Sequence, residues 1–219
     1  MKKIFLCTSL FLVLKANGQS IQLGVDAGTC YNFAHQESLV GFPYVAKASG
    51  RQFSYRAGVP VVIPASASLR LNTGLYYTTK GLNHSQYDVP FLQYSLIELP
   101  LILTWNHADD QRNSFFIGAG PYVGYGISST IRWTVSGEKK QEHPEWSTDI
   151  KRLDLGAQVQ LGYEFSSGWT IRLLAQRGLN NLGVKATNDN FKRYQAFSQV
   201  NSNGYLALTV GYLLRFNHR

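Results

Sequence analysis

The 219-residue chain is poor in cysteine, with two in all. Cys7 sits in the first apolar run, so only Cys30 remains beyond it. A single thiol cannot close an intramolecular disulfide, and no covalent staple holds this fold. With no second cysteine or nearby histidine, Cys30 also offers no reactive or metal-binding arrangement. Beyond the first residues there is no hydrophobic run of transmembrane-helix length and no useful stretch of helical periodicity, which excludes a helical membrane protein. No cluster of Lys and Arg is interleaved with aromatics on one face, which excludes nucleic acid as a partner. Catalytic signatures are missing too: G-x-S-x-G, H-E-x-x-H, a phosphate-binding glycine loop and Cys/His metal spacing. The expectation is a non-enzyme with no cofactor and no metal. His35, His84 and His143 fall in long polar stretches, where only converging loops could join them, and His107 and His218 lie in a turn and the tail. Asp109 and Asp110 beside His107 read as a polar turn.

What is present begins with a leader. Lys2 and Lys3 precede an apolar run over 4–14 and then Ala16-Asn17-Gly18, the pattern of a secretory signal peptide cut after Gly18. The run is too short to span a bilayer, and Cys7 lies inside it rather than after the cleavage site, which argues against a lipoprotein anchor. The division is therefore a leader of residues 1–18 and a single domain over 19–219. Cleavage removes Lys2, Lys3 and Lys15 and no acid, so the net charge falls from +8 to +5.

Within that domain, residues 151–165 (KRLDLGAQVQLGYEF) alternate without a slip. Leu153, Leu155, Ala157, Val159, Leu161, Tyr163 and Phe165 share one side; Arg152, Asp154, Gly156, Gln158, Gln160, Gly162 and Glu164 share the other. A helix would scatter Leu155, Val159 and Leu161 around its circumference, whereas a pleated strand collects them. Soluble strands run about 5–6 residues, while a tilted strand crossing a bilayer needs about 9–11. An Arg against hydrocarbon costs up to about 2–4 kcal/mol, so the apolar side meets lipid and the polar side a lumen.

Seven further segments alternate likewise, at 21–31, 52–63, 67–82, 92–105, 114–130, 168–178 and 203–216. Their connections alternate as well: short at 64–66, 106–113 and 166–168, longer and polar at 32–51, 83–91, 131–149 and 179–202. Short turns at one end and long loops at the other predict an all-β, antiparallel up-and-down transmembrane β-barrel of eight strands, or ten if 182–200 hides a hairpin. Trp105, Phe115, Phe165, Trp169 and Phe216 fall near the short turns, and Tyr31, Tyr77, Tyr125 and Trp133 towards the long loops. Amphipathic rings favour the headgroup level, so these predict two girdles. Inward parity places Arg56, Arg70, Lys80, Arg152, Arg172 and Arg215 in the lumen with Asp26, Glu98, Asp154 and Glu164. Eight strands leave only enough width for side chains to fill, which predicts a hydrogen-bonded polar plug rather than a diffusion pore. A narrow gated ion path is the alternative.

Taken together, GLYYTTKG (74–81), LIELPLIL (96–103), FFIGAGPYVGYGIS (115–128), residues 151–165, Gly178-Leu179-Asn180 and LTVGYLLRF (208–216) resemble the Bacteroidetes-type outer-membrane β-barrel family that includes PorT. The resemblance covers essentially the whole mature chain. It implies a small outer-membrane barrel, residence in outer-membrane lipid, and no specific activity for most members. Thr209, Gly211, Leu214 and Phe216 also resemble the C-terminal signal read by the barrel-assembly machinery, although the chain continues through Asn217-His218-Arg219. Two functional classes follow: a structural or interaction barrel working through loops such as 133–146 and 188–197, towards an extracellular or secretion-system partner, or a narrow channel, secretion accessory or barrel-type membrane enzyme.

Overall fold

In strands of this length every second side chain faces the same way, and pairing their backbones edge to edge leaves one continuous surface on each side. A computed structural model of the chain describes residues 21–39, 45–82, 91–109, 111, 113–135, 138–143, 151–180 and 199–214. In chain order the strands are β1 (Gln22–Leu39), β2 (Val45–Pro64), β3 (Leu69–Leu82), β4 (Phe91–Pro100), β5 (Ile102–Ala108), β6 (Ser114–Val135), β7 (Glu138–Glu142), β8 (Leu153–Glu164), β9 (Trp169–Gly178) and β10 (Gln199–Leu214). The leader at 1–18, the loop at 188–197, Arg215 and Phe216 lie outside the described residues.

All neighbours are antiparallel, and the circuit closes. β1 pairs β2, β2 pairs β3, β3 pairs β4 and β5, both of these pair β6, and β8, β9 and β10 follow. β10 then returns to β1, with Leu23 opposite Leu214 and Ala27 opposite Val210. β4 and β5 form one stave, since Tyr76 opposite Glu98 and Asn72 opposite Ile102 keep a single register. The interruption falls at Pro100, which has no N–H to give the ladder. Pro60 of β2 approaches the same point opposite Gly74. Gly74 has φ +143°, open to glycine and not to side-chain-bearing residues, and a Cβ there would collide with the Val59 carbonyl oxygen. β7 pairs β6 beyond the ring, Ile131 opposite Glu142. The described residues thus make a closed barrel of eight staves.

Two expected loops are largely strand. The 32–51 connection continues as paired β1 and β2, with His35 opposite Ser49 and Gln36 opposite Ala48. The 131–149 connection contains the end of β6 and all of β7. Beyond the bilayer a strand has water on its outer face and no apolar alternation to betray it, yet its backbone pairs as before. The short turns stand where expected: at 165–168, Gly168 N–H donates to the Phe165 carbonyl at 2.9 Å and Phe165 N–H to that of Trp169 at 2.8 Å.

The barrel is inverted relative to a soluble protein. Val25, Val59, Leu75, Leu103, Ile117, Val159, Leu208 and Val210 are all exposed on its outside, Val159 by 54%, whereas Glu98, Asp154, Gln158 and Thr209 are buried inside. So large an exposed apolar belt marks a membrane surface. Aromatics bound it at both edges. At the short-turn edge, Tyr163 packs on Phe165 at 5.0 Å and Trp169 on Tyr212 at 5.5 Å, with Trp105 and Phe115 exposed beside them. At the other edge Tyr31 packs on Phe53 at 5.2 Å and Tyr55 on Tyr77 at 5.8 Å, with Tyr125 exposed. Phe115 and Tyr125 both lie on β6; at about 3.3 Å per residue and a tilt of about 40° their separation rises about 25 Å, the height of a lipid-facing band.

A ring without a free edge has no strand from which to unzip. Folded protein in detergent should therefore migrate faster on a gel when unboiled than when boiled; identical mobility would contradict closure.

Candidate functional site

Because the outside between its two aromatic edges is apolar, the lumen holds most of the buried polar chemistry among the described residues. It is organised around a glycine. On β6, Gly124 stands opposite Glu98 of β4 on one side and Asp154 of β8 on the other. A Cβ on Gly124 would sit 3.3 Å from that of Asp154 and 3.6 Å from Cγ of Glu98. Its absence leaves the middle of this row open between two carboxylates. The Lys80 ammonium bridges the two carboxylates, 2.8 Å from Glu98 Oε1 and 2.8 Å from Asp154 Oδ2. Lys80, Glu98 and Asp154 are all buried.

Neutral groups complete the coordination. Asp154 accepts from Tyr122 Oη at 3.1 Å and Asn203 Nδ2 at 3.2 Å, and Asn203 also donates to Tyr94 Oη at 2.9 Å. Glu98 accepts from Thr78 Oγ1 at 2.9 Å, Gln176 Nε2 at 2.8 Å and Tyr205 Oη at 3.0 Å. Arg56 donates to Tyr205 Oη at 2.8 Å, lies 3.9 Å from Glu98, and stacks over the Tyr76 ring at 3.8 Å. Towards the short-turn end, Arg172 pairs Asp26 at 3.0 Å and Arg70 pairs Glu164 at 2.6 Å. Among the described residues the inward cations Arg56, Arg70, Lys80 and Arg172 thus equal in number the inward anions Asp26, Glu98, Asp154 and Glu164. A cavity of about 10 Å³ lies among Asp26, Arg56, Tyr76, Gln158 and Arg172. That is about the room one water needs.

Of the residues expected in the lumen, the structure brings Lys80, Glu98, Asp154 and Arg56 into one network and joins Arg70 with Glu164 and Arg172 with Asp26 as separate pairs. Arg152 corrects the expectation. It lies just before β8, on a bend where strand parity no longer applies; its side chain is exposed and donates to Tyr125 Oη at 2.9 Å on the outer face. Tyr94, Tyr122, Gln176, Asn203 and Tyr205 were missed. Their signal was an uncharged but hydrogen-bonding side chain at an inward position of a predicted strand. In the C-terminal pattern, Gly211 is buried and Leu214 exposed on β10.

Elsewhere the chemistry is sparse. Cys30 is buried in a cluster with Leu174, Tyr205 and Ala207. His107 stacks on Trp105 at 5.9 Å. In the turn outside the membrane, Asp109 accepts from Asn113 N at 2.8 Å and Nδ2 at 3.0 Å, and these bonds hold its carboxyl below the ordinary value. Among the described residues no group of His, Cys, Asp and Glu could hold a metal.

Comparison with known proteins places the arrangement. A family model described as an outer membrane protein beta-barrel domain matches residues 16–184. No curated protein sequence matches the chain. Among solved structures it is similar to Neisserial surface protein A, at 12% identity with TM-score 0.45, over 88% of this chain and 96% of that one. It is also similar to Ail, the attachment invasion locus protein of Yersinia pestis, solved with the heparin analogue sucrose octasulfate, at 10% identity and TM-score 0.40, over 90% of this chain and all of the other. The N-terminal β-barrel domain of Pseudomonas aeruginosa OprF matches at 10% identity and TM-score 0.38, over 90% and 98%.

Removing one partner from a buried pair leaves an uncompensated charge, at about 3–5 kcal/mol, whereas an exposed contact is worth about 1 kcal/mol or less. Lys80→Met, which strands Glu98 and Asp154 together, should destabilise the refolded barrel by an amount in the first range, read as a lower urea midpoint. Arg152→Leu should leave it nearly unchanged. Equal midpoints for wild type and Lys80→Met would show a solvated lumen.

Proposed function

Because this chain belongs to the family of outer membrane protein beta-barrel domains, we propose that it acts in that membrane as a plugged, non-enzymatic barrel. Its lumen is structural and its contacts with other molecules are made at the long-loop end. The observation that carries this is the charge-matched network around Lys80, which crosses the bore from β3 to β4, β8 and β10 and occupies the space a permeant would need. The alternating exposed and buried faces of β8 support the same assignment from outside. We further propose that residues 1–18 are removed on export, that Gly211, Leu214 and Phe216 present the last strand to the barrel-assembly machinery, and that the protein is a PorT-like member of the family. The motifs at 74–81, 96–103 and 115–128 support this last point. Partners on the cell exterior or in a secretion apparatus would meet β1, β2, β6, β7 and β10, which among the described residues continue past the aromatic edge at the long-loop end.

Planar-bilayer recording tests the plug. Purified, folded protein should insert without producing steps of conductance, and Lys80→Met together with Glu98→Leu should not open a stable path unless the stave register changes. Reproducible unitary conductance from the wild type would contradict the proposal and favour a channel.

A further inference from the structure

The outer surface has one feature that neither the plug nor the aromatic belts account for. Arg177 follows the parity of Trp169, Ile171 and Leu173 on β9 and is exposed on the lipid side of the barrel. Across the ladders it stands opposite Gly204 of β10, Gly204 opposite Phe33 of β1, and Phe33 opposite Arg51 of β2. Residues directly opposite share a face, so one row on the outside reads arginine, glycine, phenylalanine, arginine. Arg51 is also exposed. Three strand spacings of about 4.8 Å put the two arginine backbones about 14 Å apart.

The floor between them is flat and apolar. Gly204 has no side chain, and the Phe33 ring lies so close over it that a Cβ would collide with the ring. One step towards the membrane centre come Tyr31, Phe53 and Leu206, then Leu208, with Phe53, Leu206 and Leu208 exposed. Strands tilted by about 40° carry the row obliquely across the outer edge of the apolar belt, so the two arginine backbones differ in depth by about 9 Å, Arg51 lying further out. That difference is within the combined reach of two arginine side chains. Neither arginine makes an ion pair among the described residues. Of the described side chains at this edge, Lys151 and Arg152 before β8 are also exposed and cationic, whereas the exposed charge of the short-turn end is Asp109. Among the described side chains, exposed cations gather at one membrane edge.

We propose that the outer face of β9, β10, β1 and β2 at the long-loop end seats a phosphorylated lipid of the leaflet there, Arg177 and Arg51 each holding a phosphate and the acyl chains lying over Leu206, Leu208, Tyr31 and Phe53. A guanidinium fork suits a phosphate through two parallel hydrogen bonds. An amphiphile with two separated phosphates meets both arginines, and the chains below them cover surface that must meet hydrocarbon in any case. Ordinary snorkelling of arginine to the interface would need no such spacing and no preference among headgroups.

The seat rests on the family's membrane placement, and the two can fail separately. The full chain is refolded into phosphatidylcholine vesicles containing either bisphosphorylated lipid A or the same lipid stripped of phosphate, extracted in mild detergent, and assayed for lipid that copurifies. The wild type should retain the phosphorylated form at least about tenfold better. Arg51→Gln with Arg177→Gln should abolish that preference, and Arg51→Lys with Arg177→Lys should keep much of it, all variants being checked for heat-modifiable mobility. Millimolar inorganic phosphate should not displace the lipid. Equal retention of both lipids, unchanged preference in the glutamine variant, or displacement by free phosphate would overturn the seat while leaving the membrane placement intact. Failure to float with any vesicle would overturn both.

Discussion

Hydrocarbon offers no hydrogen-bond partner, so every backbone N–H and C=O within it must be satisfied by the protein. A β-chain meets that condition only by closing on itself, and the pairing of β10 with β1 is where this chain does so. The other features follow. With eight staves the bore is only wide enough for side chains, so whatever faces inward is sealed from bulk water. Whatever faces outward must be apolar between two interfacial rings. The alternation of β8 is one strand's record of both demands.

Sealing the bore sets the second condition, that buried charge must be matched. Charges in a low-dielectric interior are costly unless paired and hydrogen-bonded, and a buried ion pair is often no more stabilising than apolar residues of the same volume. The Lys80 cluster is therefore better understood as a device of register than as a source of stability. Glu98, Gly124 and Asp154 form one row only if β4, β6 and β8 are correctly aligned. A slip of one residue would turn the carboxylates towards lipid and strand Lys80. Glycine at 124 lets the Glu98 and Asp154 side chains crowd the row, since a Cβ there would already press within 3.3 Å of the Asp154 Cβ.

Much of this was legible in the sequence because a period of two survives inspection. The eight staves, their faces and the inward position of Asp154, Glu98, Lys80, Arg56 and Arg172 follow from parity alone. Parity fails where the ladder ends: Arg152 precedes Leu153, the first residue of β8 opposite β6, and its side chain turns outward to Tyr125. Parity is silent where neither face meets lipid, so the paired extensions of β1 and β2 read as a loop. Nor can parity say who meets whom across the bore. That Asn203 bridges Tyr94 and Asp154, or that Arg177 and Arg51 share a row three staves wide, depends on registers between strands far apart in sequence. The Bacteroidetes-type assignment drawn from the motifs is finer than the family match, which reaches the outer-membrane β-barrel domain.

The inside-out arrangement underlies both the plug and the lipid-facing row, and it is open to direct measurement. In a Cys30→Ser background, Val159→Cys and Gln158→Cys are made as separate variants and each folded barrel is labelled in intact membranes. Val159 is exposed at the middle of the outer belt and Gln158 is buried in the bore. The account predicts that the Val159→Cys variant reacts with a lipid-soluble maleimide and resists a water-soluble one, while the Gln158→Cys variant resists both. Ready reaction of the Val159→Cys variant with the water-soluble reagent, or its protection from both reagents while the Gln158→Cys variant is labelled from lipid, would contradict it.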